Sequence, residues 1–216
     1  MSKPQLYKDL LDNNIIQIKE LSGSGEIPYT LNFNKIIGNP ELFDAYSLIA
    51  ENFIKTKNIE FDKICALNID SIPYATNIST SFSKGILYVT DNGNDHNDKG
   101  NIKNIKIEGG MNIDDRILLI ITSTTPDYFI NNVITKINKF GGKFVGLVVL
   151  WDFNEGEYLP VLVDKHPVLS IINLYDLCNN LENNNMLNNY ATEHVKFYCE
   201  KLMKQRIRQY SPPVIS

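Results

Sequence analysis

The stretch Leu118-Leu-Ile-Ile-Thr-Ser-Thr-Thr-Pro-Asp-Tyr-Phe129 decides the fold. An apolar run of strand character stops at a Thr/Ser/Pro patch, and a helical pattern begins near Asp127. Such a junction of strand end and helix start is where nucleotide-handling α/β proteins hold phosphate. This one has neither a glycine nor an acidic pair. Its five-residue patch could donate hydroxyl and backbone hydrogen bonds to a phosphate. Asp127 would repel one unless a divalent metal stood between them, and Tyr128 and Phe129 are too bulky for a backbone to wrap closely. Read from the residues alone, a simple β-to-α turn is favoured over a working phosphate loop.

Outward from this junction, strand and helix patterns alternate. Residues 61–69, 85–90, 116–122 and 144–152 read as buried strands, and 158–163 as a weaker one suited to an edge because of Pro160. Between them lies a helix opened by Asn39 as N-cap, Pro40 and Glu41, with Leu42, Tyr46, Ile49, Phe53 and Ile54 on its apolar face. A shorter helix follows Pro73. Another carries a stripe of Phe129, Val133, Ile137 and Phe140 and stops at Gly141-Gly142. Two helical patterns, 173–183 and 189–210, close the chain, and the Asn-rich stretch 179–189 that overlaps their junction reads as a solvated linker. The last helix gathers Lys and Arg toward its end, which suits a solvated face. The alternation predicts an α/β fold with a mostly parallel sheet covered on both faces, and ligands beyond the carboxyl ends of the strands.

Bulk properties narrow the function. At 216 residues, a net charge of −4 and a pI near 5.4, the chain fits one α/β domain and shows no basic nucleic-acid footprint. The excess of Asn, Ile and Lys is the mark of an AT-rich genome. Cys65, Cys178 and Cys199 follow no disulfide or metal spacing, and with only three histidines no metal site is expected. The opening residues lack a signal-peptide core and no run is long enough to cross a membrane, so a cytoplasmic, reducing location is expected.

The strand ends offer few chemical groups. After the first strand, Asn68, Asp70 and Ser71 form either an anion site at a helix N-terminus or a plain turn capped by Asp70 or Ser71, and the plain turn is favoured. After the second, a polar segment from Thr90 to Gly110 reads as a loop or hairpin, with His96 and Lys99 in it. After the fourth, Asp152, Glu155 and Glu157 place acids near the sheet's edge as metal ligands or exposed charges. Trp151 reads as packing.

The order of these landmarks resembles the orotate phosphoribosyltransferase family, in particular the domain that begins eukaryotic UMP synthase. The likeness runs from "LYKDLL" to about "CEKL". It rests on "SGSGEIPYTLNFNKIIGNPELF", "FDKICALNIDSIPYATNI", "EGG" at 108–110, the opening stretch with the strand after it, and "HPVLSIINLYDLCNNLE". The resemblance implies a single type I phosphoribosyltransferase-like domain over 1–216, with an N-terminal hood (1–35), a core (36–170) and C-terminal helices (171–216). It implies a homodimer as the assembly. The base-pocket positions fall on Leu21, Tyr29 and Asn32, the pyrophosphate loop on Asn68, Asp70 and Ser71, and the PRPP loop on Thr122, Ser123, Thr124, Thr125 and Asp127.

The catalytic letters depart from the family's pattern. The family's adjacent acids fall on Thr122 and Ser123, and its phosphate cradle falls on Pro126 to Ile130. A substrate lysine falls on Leu21, and a basic pair falls on Thr90 and Asp91. Lys99 could stand in for the catalytic-loop lysine only after a shift of about one residue, and Asp127 and Asp152 are the other candidates for displaced catalytic groups. The expectation is a protein that keeps the fold without the transfer, in a binding, regulatory or structural role with a possible protein partner. No cofactor is expected, and Mg²⁺ only if the chain is active. The alternatives are an active enzyme making OMP from orotate and PRPP, or a small-ligand or nucleotide-binding module.

Overall fold

The computed structural model describes residues 3–18, 29–91, 103–123, 127–152, 166–186, 190, 192–198 and 200–201. The expected strand at 158–163 lies outside them, as do Leu21, Lys99, Thr124, Thr125, Glu155 and Glu157.

Helix α1 (Lys3–Asp12) leads into a two-stranded antiparallel hood, β1 (Ile16–Ile18) and β2 (Tyr29–Leu31). Two helices follow, α2 (Phe33–Ile37) and α3 (Pro40–Thr56). The rest alternates as β3 (Lys63–Ala66), a 3-10 turn (Ile69–Ser71), α4 (Ile72–Ser81), β4 (Gly85–Asp91), β5 (Ile105–Glu108), β6 (Arg116–Ser123), α5 (Asp127–Lys139), β7 (Lys143–Asp152), β8 (Val168–Asn173) and α6 (Leu174–Asn183). Residues 192–198 are again helical.

The six-stranded sheet has the order β5-β4-β3-β6-β7-β8, and only β5 is antiparallel to its neighbour. Period-two alternation divides the core between its faces. Ile64, Ala66, Leu118, Ile120, Val148 and Leu150 pack with α3 and α4 residues such as Tyr46, Ala50, Tyr74 and Ile78. Cys65, Leu119, Ile121, Leu147 and Val149 pack with Ile130, Val133 and Ile137 of α5. Burial pushes the Cys65 thiol up to about 12, so it stays a neutral packing group.

Helix α3 begins as its sequence predicts. The Asn39 side chain accepts a hydrogen bond from the Leu42 amide at 3.2 Å, with Pro40 at the first helical position. Asn39→Ala is expected to cost about 1 kcal/mol in urea denaturation by removing that acceptor; an unchanged midpoint would contradict the cap.

The hairpin offered for the segment after β4 forms: residues 105–108 are the edge strand β5, antiparallel to β4, with Ile105 buried and Lys106 exposed. Three expectations need correction. The linker reading of 179–189 gives way in its first half to the helix read over 173–183: α6 runs through Asn183, since Leu177, Cys178 and Leu181 are buried at helical spacing. Phe140 leaves the stripe of α5 and is 56% exposed, because the helix ends at Lys139 and the chain turns at Gly141 with φ +86°. Asp152 is not at the sheet's edge either. It ends β7, between β6 and β8, and is fully buried.

Candidate functional site

Parallel strands β3 and β6 are adjacent, so the segments that follow them emerge side by side. There the Asn68 amide donates to the Thr122 hydroxyl at 2.8 Å, across 54 residues of sequence. Thr122 is buried, 1% exposed, so its hydroxyl faces a protein partner and not solvent. Ser71 ties the same turn together. Its hydroxyl donates to the Asn68 carbonyl at 2.7 Å and accepts from the Asn68 amide N–H at 3.2 Å.

The capping expectation for this turn therefore changes. Neither Asp70 nor Ser71 supplies a side-chain cap to α4; Asp70 is exposed, and Ser71 is buried and bonded back to Asn68. The structure brings Asn68, Ser71 and Thr122 together and leaves Asp70 on the surface above them. Ser123 is half-buried and lies in register with Trp151 of β7. Asp127 opens α5, and Tyr128 beside it is 57% exposed. The contact between Asn68 and Thr122 escaped the sequence reading, since side-chain reach between distant strand ends leaves no mark in a linear pattern.

Thr122→Val keeps the volume and removes the acceptor, leaving the Asn68 amide without this hydrogen bond. A loss of about 1–3 kcal/mol is expected from chemical denaturation; no change would mean that the bond does not hold the two segments.

The hood approaches the same end of the sheet. The Phe33 ring of α2 meets Trp151 edge-on, with centroids 5.8 Å apart. Of the base-pocket positions, Tyr29 opens β2 and meets the Tyr198 ring edge-on at 6.1 Å, while Asn32 is exposed and its backbone amide donates to the Ile15 carbonyl. At the end of β7, Asp152 accepts from the Ser170 hydroxyl at 2.6 Å. Among the described residues, His, Cys, Asp and Glu nowhere gather into a group of three that could hold a metal ion. No described helix is long and apolar enough to cross a membrane.

A mostly parallel sheet with covered faces and a small hood beside its carboxyl end define a type I phosphoribosyltransferase fold. Solved structures that share it include two of the orotate family. Leishmania donovani UMP synthase matches with a TM-score of 0.69 and 18% identity over 93% of this chain and 43% of that one. Orotate phosphoribosyltransferase from Francisella tularensis matches with a TM-score of 0.68 and 17% identity over 93% and 97%. In sequence, the orotate phosphoribosyltransferase of Thermococcus gammatolerans is 22% identical over 178 residues, covering 82% of this chain and 92% of that protein. No family model matches. The chain is a distant relative of the orotate phosphoribosyltransferases, as the order of its landmarks implies.

Proposed function

We propose that this chain is an orotate phosphoribosyltransferase-like protein that has lost phosphoribosyl transfer and keeps its fold for a binding, regulatory or structural role, as a homodimer in the cytoplasm. The observation that carries this reading is the end of β6. Where the resemblance implies two adjacent acids, the chain has Thr122 and Ser123, and the Thr122 hydroxyl is already engaged by Asn68.

The physical argument concerns charge. Transfer of a phosphoribosyl group passes through an oxocarbenium-like state as pyrophosphate departs, and a divalent metal and fixed cations are needed to stabilise the leaving charge. Mg²⁺ is a hard cation that favours carboxylate oxygen. The described residues that end β3 and β6 are a buried threonine, a half-buried serine and an asparagine; the Asp70 carboxylate stands exposed beyond them, and among the described residues no group of three ligands gathers to hold the ion. Losing one transition-state donor costs about 3 kcal/mol, near a hundredfold in rate. Departures at Leu21, Thr90, Asp91, Thr122 and Ser123 together would leave little rate.

The second reading is an active enzyme making OMP from orotate and PRPP, favoured by the sequence similarity to orotate phosphoribosyltransferases. It would use Lys99, Asp127 and Asp152 as displaced groups. Of these, Asp152 is fully buried and bonded to Ser170, which argues against its meeting a metal-bound substrate. The third reading, a small-ligand module built on the hood, would use Leu21 to Asn32. An orotate-to-OMP assay with PRPP and Mg²⁺ decides between the first two. No turnover above the buffer blank is expected, and turnover that Lys99→Ala abolishes would establish the second reading instead.

A further inference from the structure

A pocket lies at the end of the sheet opposite Asn68 and Thr122. It is lined by Ile59, Glu60, Phe61, Phe82, Lys84 and Arg116 and has a volume of about 320 Å³. These residues meet because β3, β4 and β6 are parallel neighbours. Ile59, Glu60 and Phe61 lead into β3, Phe82 and Lys84 lead into β4, and Arg116 opens β6, so all six stand at amino ends of strands. The volume sits at the lower end of the roughly 300–1,000 Å³ usual for small-molecule sites, which suits a ligand built on one ring.

Its wall is apolar. Phe61 is 2% exposed, and its ring meets the half-buried Phe82 ring with centroids 5.3 Å apart and planes inclined by 57°. The Lys55 ammonium lies 5.2 Å from the centre of the Phe82 ring, a cation–π contact that steadies that side of the pocket. The polar lining is rich in donors. Arg116 donates from Nε and Nη2 to the Asp62 carboxylate, each at 3.0 Å, and from Nη1 to Glu60 at 2.5 Å. Three of its five N–H groups are thereby engaged, and two are left without a partner among the described residues. Lys84 is exposed and, among the described residues, its ammonium forms no ion pair. Hydrogen bonds from Arg116 hold the Asp62 carboxyl well below the usual carboxylate range, and the Lys84 charge adds to that. Both acids at this end, Glu60 and Asp62, are thus committed to Arg116, while donors remain unspent. An apolar wall with spare cationic donors beside it fits an apolar body that carries a carboxylate.

We propose that this pocket binds a small aromatic carboxylate, with its ring against Ile59, Phe61 and Phe82 and its carboxylate on the Lys84 ammonium and the remaining N–H groups of Arg116. Burial of the ring gives affinity, and the charged hydrogen bonds give orientation and selectivity for an anion. The pocket is separate from the carboxyl ends of β3 and β6, so the inference stands whether or not the chain carries out transfer.

The test titrates the full chain into three fluorinated probes of one shape, 4-fluorophenylacetate, 4-fluorophenylacetamide and 4-fluorophenethylamine, and follows each by fluorine NMR. The acetate is expected to give a saturable shift, the neutral amide to bind about tenfold more weakly, and the amine to give no saturable shift. Lys84→Met should bring the acetate down to the level of the amide and leave the amide unchanged. Phe82→Leu, which removes a ring from the wall, should weaken acetate and amide alike. Lys139→Met, an exposed lysine at the end of α5, should leave all three unchanged. Lys84 and Lys139 are both exposed, and circular dichroism would verify that every variant folds. The proposal is overturned if the acetate gives no saturable shift, or if the three probes bind alike. It is also overturned if Lys84→Met binds the acetate as well as the parent, since the probe then sits elsewhere on the chain, or if Lys139→Met weakens it equally. The orotate-to-OMP assay reads the opposite end of the sheet, so turnover there would overturn the loss of transfer and leave this pocket standing.

Discussion

Trp151→Ala is expected to lower stability by about 3–5 kcal/mol, the usual cost of emptying a large aromatic site in a core. Trp151 is fully buried at the carboxyl end of β7. Its ring stacks on Tyr46, with centroids 6.1 Å apart and planes inclined by 15°, and meets Phe33 edge-on. Tyr46 in turn donates through its hydroxyl to the Leu150 carbonyl at 2.6 Å, fastening α3 to β7. Truncation would open a cavity where the hood helix, α3 and the central sheet meet. Set against a total stability of about 5–15 kcal/mol for a typical domain, that is a large fraction. For a chain of this length the melting temperature falls about 2–4 °C per kcal/mol, so a drop of roughly 10 °C by circular dichroism is expected. Trp151→Phe should lose less, since it retains a ring and removes a buried indole N–H that has no hydrogen-bond partner among the described residues. A loss below about 1 kcal/mol for the alanine variant would contradict the packing described here.

Gly109→Ala is the second large effect. Gly109 has φ +105°, and a Cβ there would lie 2.5 Å from the Ile86 carbonyl oxygen and 3.2 Å from the Leu87 Cα. Those neighbours are strand backbone and cannot swing aside. Left-handed strain costs about 1–3 kcal/mol, and forced overlap in a packed region costs a similar amount. The variant is expected to unfold at clearly lower urea, with Trp151, the single tryptophan, reporting the transition through its fluorescence. An unchanged midpoint would mean that β5 need not sit against β4 as the register Tyr88 with Glu108 requires.

Much of this architecture was legible because burial on both faces writes near-continuous apolar runs into parallel strands. β4, β6 and β7 stand within a residue or so of where those runs place them. Helix α3 announced its start through Asn39 and Pro40. Legibility failed where local composition and tertiary contact disagreed. The alternation Ile105-Lys106-Ile107-Glu108 is a strand signal, but four residues amid Asn and Lys leave loop and hairpin both open until β4 provides a partner. The asparagines at 179–183 read as linker as well as helix, and Leu177 and Leu181 decide for the helix by anchoring its buried side. In α5 the apolar stripe fixed the face but not the end, because two residues beyond Lys139 the left-handed Gly141 turns Phe140 outward.

The site was legible in outline only. Sequence placed Asn68, Asp70, Ser71, Thr122 and Ser123 at two strand ends, and the pairing of β3 with β6 makes those ends neighbours. Which side chains would bond each other was not readable. The Ser71 hydroxyl turns back on Asn68, and Asn68 reaches Thr122, so the polar atoms that might have faced a phosphate face one another.

The central claim is that this crevice no longer holds PRPP, and isothermal titration calorimetry of the full chain with PRPP and Mg²⁺ tests it most directly. The account predicts heats indistinguishable from dilution up to millimolar PRPP. A saturable one-to-one isotherm in the micromolar range that disappears when Mg²⁺ is removed would contradict it.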